Sequence, residues 1–325
     1  MGQKGDRFMV VAIQNGFEKF ERLYSYVKQA QTEFGSSAAS VVVIQDDKIV
    51  TEWYEGNHHF KKGARKVAED SLFNIYSTRK TYICTALAIA IVENKVPIDT
   101  AVHEMIDNIP EDVLGEITIR DLCMATGAKF FGASRMEREE LQGKIIQKIT
   151  GSSITQLISE KILKPLKWVN TEWVTTPKEN LVCDFQAADG YASVRIESND
   201  GHERNLYTSS RDLAFWGNFH LKKGKINGVQ IIPREVFDLM EGMRLQDPKR
   251  RILGWYHQDD WYYATGAAGC HCVVFPKHNA VGVRMLNHYT DHYQEDQLAF
   301  NSLLLDSLKD NRSEQIPSNR LEIRS

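Results

Sequence analysis

Apolar residues recur at helical spacing in Phe17-Glu-Lys-Phe-Glu-Arg-Leu-Tyr-Ser-Tyr-Val-Lys28, which predicts an amphipathic surface helix. Two β-branched runs follow within Ala39-Ser-Val-Val-Val-Ile-Gln-Asp-Asp-Lys-Ile-Val-Thr-Glu-Trp-Tyr54, and the polar pair Asp46-Asp47 between them predicts a hairpin turn. The next two hundred or so residues change character. Helical patterns dominate over 78–94, 118–124, 137–165 and 209–222, separated by polar or proline-bearing loops. Within this stretch, 192–207 reads as a small hairpin turning at Asn199-Asp200-Gly201. Strand patterns return at 261–265, 270–275 and 280–286, with 276–279 as a turn. A last helix over 294–308 precedes a charged tail, expected to be disordered from about residue 310.

Strands at both ends with helices between predict one sheet assembled from distant segments, an α/β protein of the α+β type. The expected division is a discontinuous sheet domain over 1–70 and 252–310, a mainly helical insert over 71–251, and a flexible tail over 311–325.

Composition narrows the functional classes. The 325 residues, 42% hydrophobic and 26% charged, suffice for one large core or two coupled ones. Forty basic against forty-three acidic residues, with no long Lys or Arg run, argue against a nucleic-acid partner. The first residues lack a small-residue cleavage site, and Asp6 stands where a myristoylation start wants Ser or Thr. The longest apolar stretch, 83–92, is about half of what a bilayer requires, so no membrane partner is expected. Five scattered cysteines predict reduced thiols and a cytoplasmic location. Cys270-His271-Cys272 resembles a metal tract, but on a strand the histidine faces away from both sulfurs, so neither metal nor other cofactor is expected. Oligomeric state has no signature in the chain.

Candidate chemistry centres on Ser77, three residues ahead of Lys80 at the mouth of the most uniformly apolar helical run, 82–92. A serine attacks a carbonyl only when a neighbouring base takes its proton, and residues at i and i+3 share a helix face. Burial would depress the pKa of Lys80 and fit it for that task. A second Ser-x-x-Lys, Ser25 to Lys28, lies in the amphipathic surface helix and reads as an ordinary surface pair. On local features alone Ser77 is equally an N-cap or a nucleophile.

Phe73-Asn-Ile-Tyr-Ser-Thr-Arg-Lys80, Ala90-Ile-Val-Glu-Asn-Lys-Val-Pro-Ile-Asp99, Ile117-Thr-Ile-Arg-Asp-Leu-Cys-Met-Ala-Thr-Gly127, Ile149-Thr-Gly151, Lys164-Pro-Leu166 and Leu206-Tyr-Thr-Ser-Ser-Arg-Asp-Leu-Ala214 come in the order of landmarks of the serine beta-lactamase and penicillin-binding superfamily, which the chain resembles. The stretches Trp216-Gly217 through Gly224-Lys-Ile-Asn-Gly-Val-Gln-Ile-Ile-Pro233, and Tyr263-Ala-Thr-Gly-Ala-Ala-Gly269, are most similar to its esterase and 6-aminohexanoate-oligomer hydrolase branch. The resemblance spans about residues 39–305. It implies a beta-lactamase/DD-peptidase-like fold, an antiparallel sheet flanked by N- and C-terminal helices, with a shortened helical insert.

The resemblance also implies roles. Ser77 aligns with the acylated serine and Lys80 with its proton-shuttling lysine. The third motif falls on Ala264-Thr265-Gly266, at an edge strand, and the amide of Ala267 would pair with that of Ser77 as an oxyanion hole. Gly266 and Gly269 permit close backbone approach. Two departures stand out. The cation usual at position 264 is replaced by Ala264, which argues against antibiotic or cell-wall substrates. The middle Tyr/Ser-x-Asn motif falls on Ser134-Arg135-Met136, without the asparagine, so Ser134, Tyr191 or Tyr207 is left to relay the leaving-group proton. The expected function is a serine hydrolase forming an acyl-enzyme on a small-molecule ester or amide. The alternatives are a binding or regulatory protein that kept the fold, and third, a true beta-lactamase or DD-peptidase.

Overall fold

The computed structural model describes residues 16–309 except 108, 127–128, 133–134, 187–189, 248–250 and 291–292. The strands predicted at the two ends of the chain belong to one seven-stranded antiparallel sheet. Its strands are β1 (Ala38–Gln45), β2 (Lys48–Gly56), β3 (Arg251–Ile252), β4 (Trp255–Gln258), β5 (Trp261–Gly266), β6 (Cys270–Phe275) and β7 (Ala280–Leu286). They lie in the order β3-β4-β5-β6-β7-β1-β2. The β1–β2 turn holds Asp46 at φ 51° and Asp47 at φ 63°, the paired left-handed conformation that matches a two-residue turn to strand twist. Pairing of β1 with β7, from Ala39 opposite Leu286 to Gln45 opposite Ala280, joins the two ends of the chain.

Alternation sorts the central strands between two cores. Ala39, Val41 and Val43 pack with Phe20, Leu23 and Val27 of α1 (Gly16–Glu33) and with Phe300 and Leu304 of the C-terminal helix (Tyr293–Lys309). Ala38, Val42 and Ile44 face a larger core that includes the helical segments. There α2 (Lys80–Glu93) is buried continuously from Thr81 to Ile91, as an all-round apolar helix requires. It rests against α3 (Arg138–Thr150) and is tied to α4 (Ser210–Leu221) by Tyr82 stacked on Trp216 at 3.9 Å and by Trp216 Nε1 donating to Thr81 Oγ1 at 2.8 Å. The C-terminal helix is α5.

Capping fixes several boundaries. Thr118 and Asp121 form a reciprocal capping box, and Ser209 accepts the Asp212 amide at the start of α4. The helical pattern over 137–165 is divided: Gly151, at φ 72°, ends α3, and a second helix starts at Ile154 behind the Ser153 cap.

The expected 192–207 hairpin does not form. Ala192–Ser193 pairs with Asp184–Phe185, whereas Leu206–Thr208 lies between Phe73–Asn74 and Thr171–Trp173. Its turn is drawn elsewhere, because Gly201 packs on Thr155 and its carbonyl accepts from Trp173 Nε1 at 3.0 Å. The strand bearing Ala264 is also not at the sheet edge, since β3 and β4 lie outside it. Their brevity hides them from a period-2 search. Residues 264–266 nevertheless pair only with β6. The tail over 311–325 lies outside the described residues.

Helix α4 approaches the sheet because position 217 has no side chain: a Cβ there would meet Val281 Cγ1 at 2.6 Å and Cys272 Sγ at 2.9 Å. Gly217→Ala should therefore lower unfolding stability by about 1–3 kcal/mol in urea titration, despite alanine's better helix propensity.

Candidate active site

Ser77 is placed by the junction of a short strand with α2. Asn74, at the strand's end, accepts the Tyr76 amide on Oδ1 at 2.8 Å and donates Nδ2 to the Arg204 carbonyl at 2.8 Å. Tyr76 then adopts φ 45°, a conformation that costs a non-glycine residue on the order of 1 kcal/mol. The 3-10 turn Tyr76–Arg79 follows and runs directly into α2. Strand β5 lies alongside. A Cβ at Gly266 would come within 2.4 Å of the Ile75 carbonyl oxygen, so this contact admits only glycine.

Ser77, Lys80 and Ala267 line one cleft of about 350 Å³, together with Tyr76, Glu139 and Arg195 among others. Ser77 is half-buried, and its hydroxyl forms no hydrogen bond to another described residue. Lys80 Nζ lies 3.3 Å from Glu139 Oε1, with side-chain exposures of 14% and 4%. Burial pushes the Lys80 amine down to about 8, opposed by the Glu139 carboxylate and assisted by Arg251 and Arg79. Burial alone would raise Glu139, but the Lys80 and Arg79 cations hold it below the usual carboxylate range. At pH 7 roughly one Lys80 in ten is then a free amine, against far fewer for an ordinary lysine. The cleft combines a hydroxyl with no hydrogen bond among the described residues and a base of accessible pKa, with Ala267 on the same lining, a set suited to acyl transfer.

The other sequence-named residues separate. Gly266 makes the close approach already described, while Ala264 is buried in the core beneath it. Thr265 points away: Oγ1 accepts from Gln297 Nε2 and donates to the Cys270 carbonyl at 3.3 Å. Tyr207 is fully buried outside the cleft lining, its hydroxyl accepting the Arg195 amide at 2.9 Å. Tyr191 is exposed and also outside that lining. Ser134 lies outside the described residues. His271 Nε2 meets Asn301 Oδ1 at 2.7 Å on one sheet face, and Cys270 and Cys272 donate to the Asn74 and Leu213 carbonyls on the other. No metal-holding group of three occurs among the described residues.

Glu139 and Arg195 escaped the sequence reading. Glu139 sits in the first turn of α3, where acidic residues are expected to complement the helix dipole, so nothing distinguished it from Glu140. Arg195 falls within the hairpin expected over 192–207, where it reads as an ordinary strand residue; it instead lies in irregular backbone just after Ala192–Ser193.

A family model described as Beta-lactamase matches residues 24–132 and 136–304. An uncharacterized protein of Alkalihalophilus pseudofirmus is 30% identical over 304 residues, covering 83% of this chain and 90% of its own. Among solved structures, EstCE1, a hydrolase with promiscuous acyltransferase activity, superposes with a TM-score of 0.66 at 13% identity, covering 89% of this chain and 99% of its own. A class C beta-lactamase in complex with cefoxitin gives 0.72 at 13%, covering 90% and 99% respectively. At such identities the likeness is one of fold.

Trinitrobenzenesulfonate modification of Lys80, followed by peptide mass spectrometry, should titrate with a midpoint near pH 8. Removing the opposing carboxylate with Glu139→Gln should move that midpoint lower, because the ammonium loses its counter-charge while the burial remains.

Proposed function

Because the chain belongs to the beta-lactamase family, we propose that it is a serine hydrolase working through an acyl-enzyme on a small ester or amide. The observation that carries this reading is the meeting of Ser77, a Lys80 of depressed pKa and Ala267 in one cleft. Ser77 Oγ attacks the carbonyl carbon while neutral Lys80 accepts its proton. The amides of Ser77 and Ala267 donate to the oxygen as negative charge grows on it. Glu139 steadies the ammonium formed at Lys80, which then protonates the leaving group as the tetrahedral intermediate collapses. Lys80, neutral again, takes a proton from water as it attacks the acyl carbon, and returns it to Ser77 on release. With the Tyr207 hydroxyl engaged by the Arg195 amide and Tyr191 at the surface, this route assigns neither phenol a proton.

Five free cysteines, four of them buried, support a reducing, cytoplasmic setting. Among the described residues no helix is long and apolar enough to cross a membrane. The second reading, a binding protein on the same fold, is favoured by the Lys80 amine lying against Glu139 while Ser77 forms no hydrogen bond among the described residues. A beta-lactamase or DD-peptidase is the third, and the uncharged Ala264 speaks against it.

A fluorophosphonate probe should label Ser77, with Ser77→Ala abolishing labelling and Lys80→Ala slowing it by about a hundredfold or more. The rate should climb as pH rises through about 8, because the base must shed its proton. An unreactive, folded protein would favour the binding reading. Nitrocefin should not be turned over.

A further inference from the structure

Charge in the cleft is unbalanced. Five lining residues are cationic, Arg79, Lys80, Lys129, Arg195 and Arg204, against the two carboxylates Glu137 and Glu139. Both carboxylates are engaged: Glu139 with Lys80, and Glu137 with Arg204 and, at 4.0 Å, with Arg79. Lys129 is exposed, stands 5.1 Å over the Phe130 ring and has no ion pair among the described residues.

Arg195 is held in place. Its amide donates to the Tyr207 hydroxyl at 2.9 Å, and its Nη2 donates to Gln186 Oε1, also in the cleft, at 2.9 Å. The guanidinium stands 5.6 Å from the centre of the Tyr76 ring, next to the nucleophile in sequence. Glu197, 3.7 Å away, also accepts the Arg204 amide, and burial pushes the Asp184 carboxyl up to about 7. A stacked, pre-oriented guanidinium is suited to a planar carboxylate.

We infer that the substrate carries a negative charge, a carboxylate or equivalent monoanion, received by Arg195 and Lys129 beside Ser77. This deepens the hydrolase reading and rests on it. The anion site is then carried by the loops at 129 and 195, not by the strand that holds the uncharged Ala264.

Equilibrium binding to Ser77→Ala protein separates this inference from turnover. Mono-para-nitrophenyl glutarate is compared with para-nitrophenyl valerate, and meta-acetoxybenzoate with phenyl acetate, placing the charge on the acyl or the leaving side. At least one anion should bind about tenfold or more tightly than its neutral partner, with the gap narrowing as salt rises. Lys129→Glu and Arg195→Gln should each shrink the gap severalfold, and Arg195→Lys should retain part of it. Should Arg195→Gln fail to fold, the exposed Lys129→Glu carries the test. Equal binding in both pairs, or a preference that survives the variants, overturns the inference. Turnover by the unsubstituted protein is read in parallel: neutral esters cleaved without anion preference sink the inference alone, whereas anion binding with no cleavage and no Ser77 labelling sinks the hydrolase reading alone.

Discussion

The burial of Lys80 against Glu139 is the interaction on which the site depends. A lysine out of water loses much of its grip on its proton, and a carboxylate at 3.3 Å restores part of it. The balance leaves the amine near pH 8, where it can both take and return a proton. Too much burial would leave no cation to protonate a leaving group. Too strong a counter-charge would leave no base.

Holding that balance falls to the scaffold. Helix α2 is apolar on every side, so it sinks into the core and carries Lys80 with it, while α3 brings Glu139 from another part of the chain. From the sheet side, Gly266 lets β5 reach the Ile75 carbonyl. The turn after β5 is anchored twice, by Thr290 N donating to the Ala267 carbonyl at 3.1 Å and by Arg284 Nε donating to the Gly269 carbonyl at 3.2 Å. Arg284 itself is fully buried and pairs with Asp296 of α5, which accepts the Tyr26 hydroxyl of α1 at 2.6 Å. The terminal helices are thereby linked to the turn that carries the proposed oxyanion amide.

What could be read from the chain follows from the range of the forces involved. The β1–β2 hairpin, α2, α4, the three long C-terminal strands and α5 are written in local periodicity, and each forms within a few residues of its expected limits. Ser77 and Lys80 are three residues apart, so one helical turn suffices to bring both to the cleft. Glu139 and Arg195 arrive through tertiary packing and carry no local mark. The 192–207 segment shows the converse: turn chemistry was present at Gly201, but the flanking residues found better partners at 184–185, 73–74 and 171–173. Thr265 fits a motif position by type and Tyr207 offered a phenol for the proton relay, yet Thr265 bonds to Gln297 and the Cys270 carbonyl, and the Tyr207 hydroxyl accepts the Arg195 amide from outside the cleft lining.

Acid-quenched mass spectrometry during hydrolysis of para-nitrophenyl acetate tests the central claim most directly. The account predicts a transient acetyl group on the peptide bearing Ser77, accumulating more slowly below pH 8 and absent in Lys80→Ala. Turnover with no acylated Ser77, or acetyl found only on other residues, would contradict it.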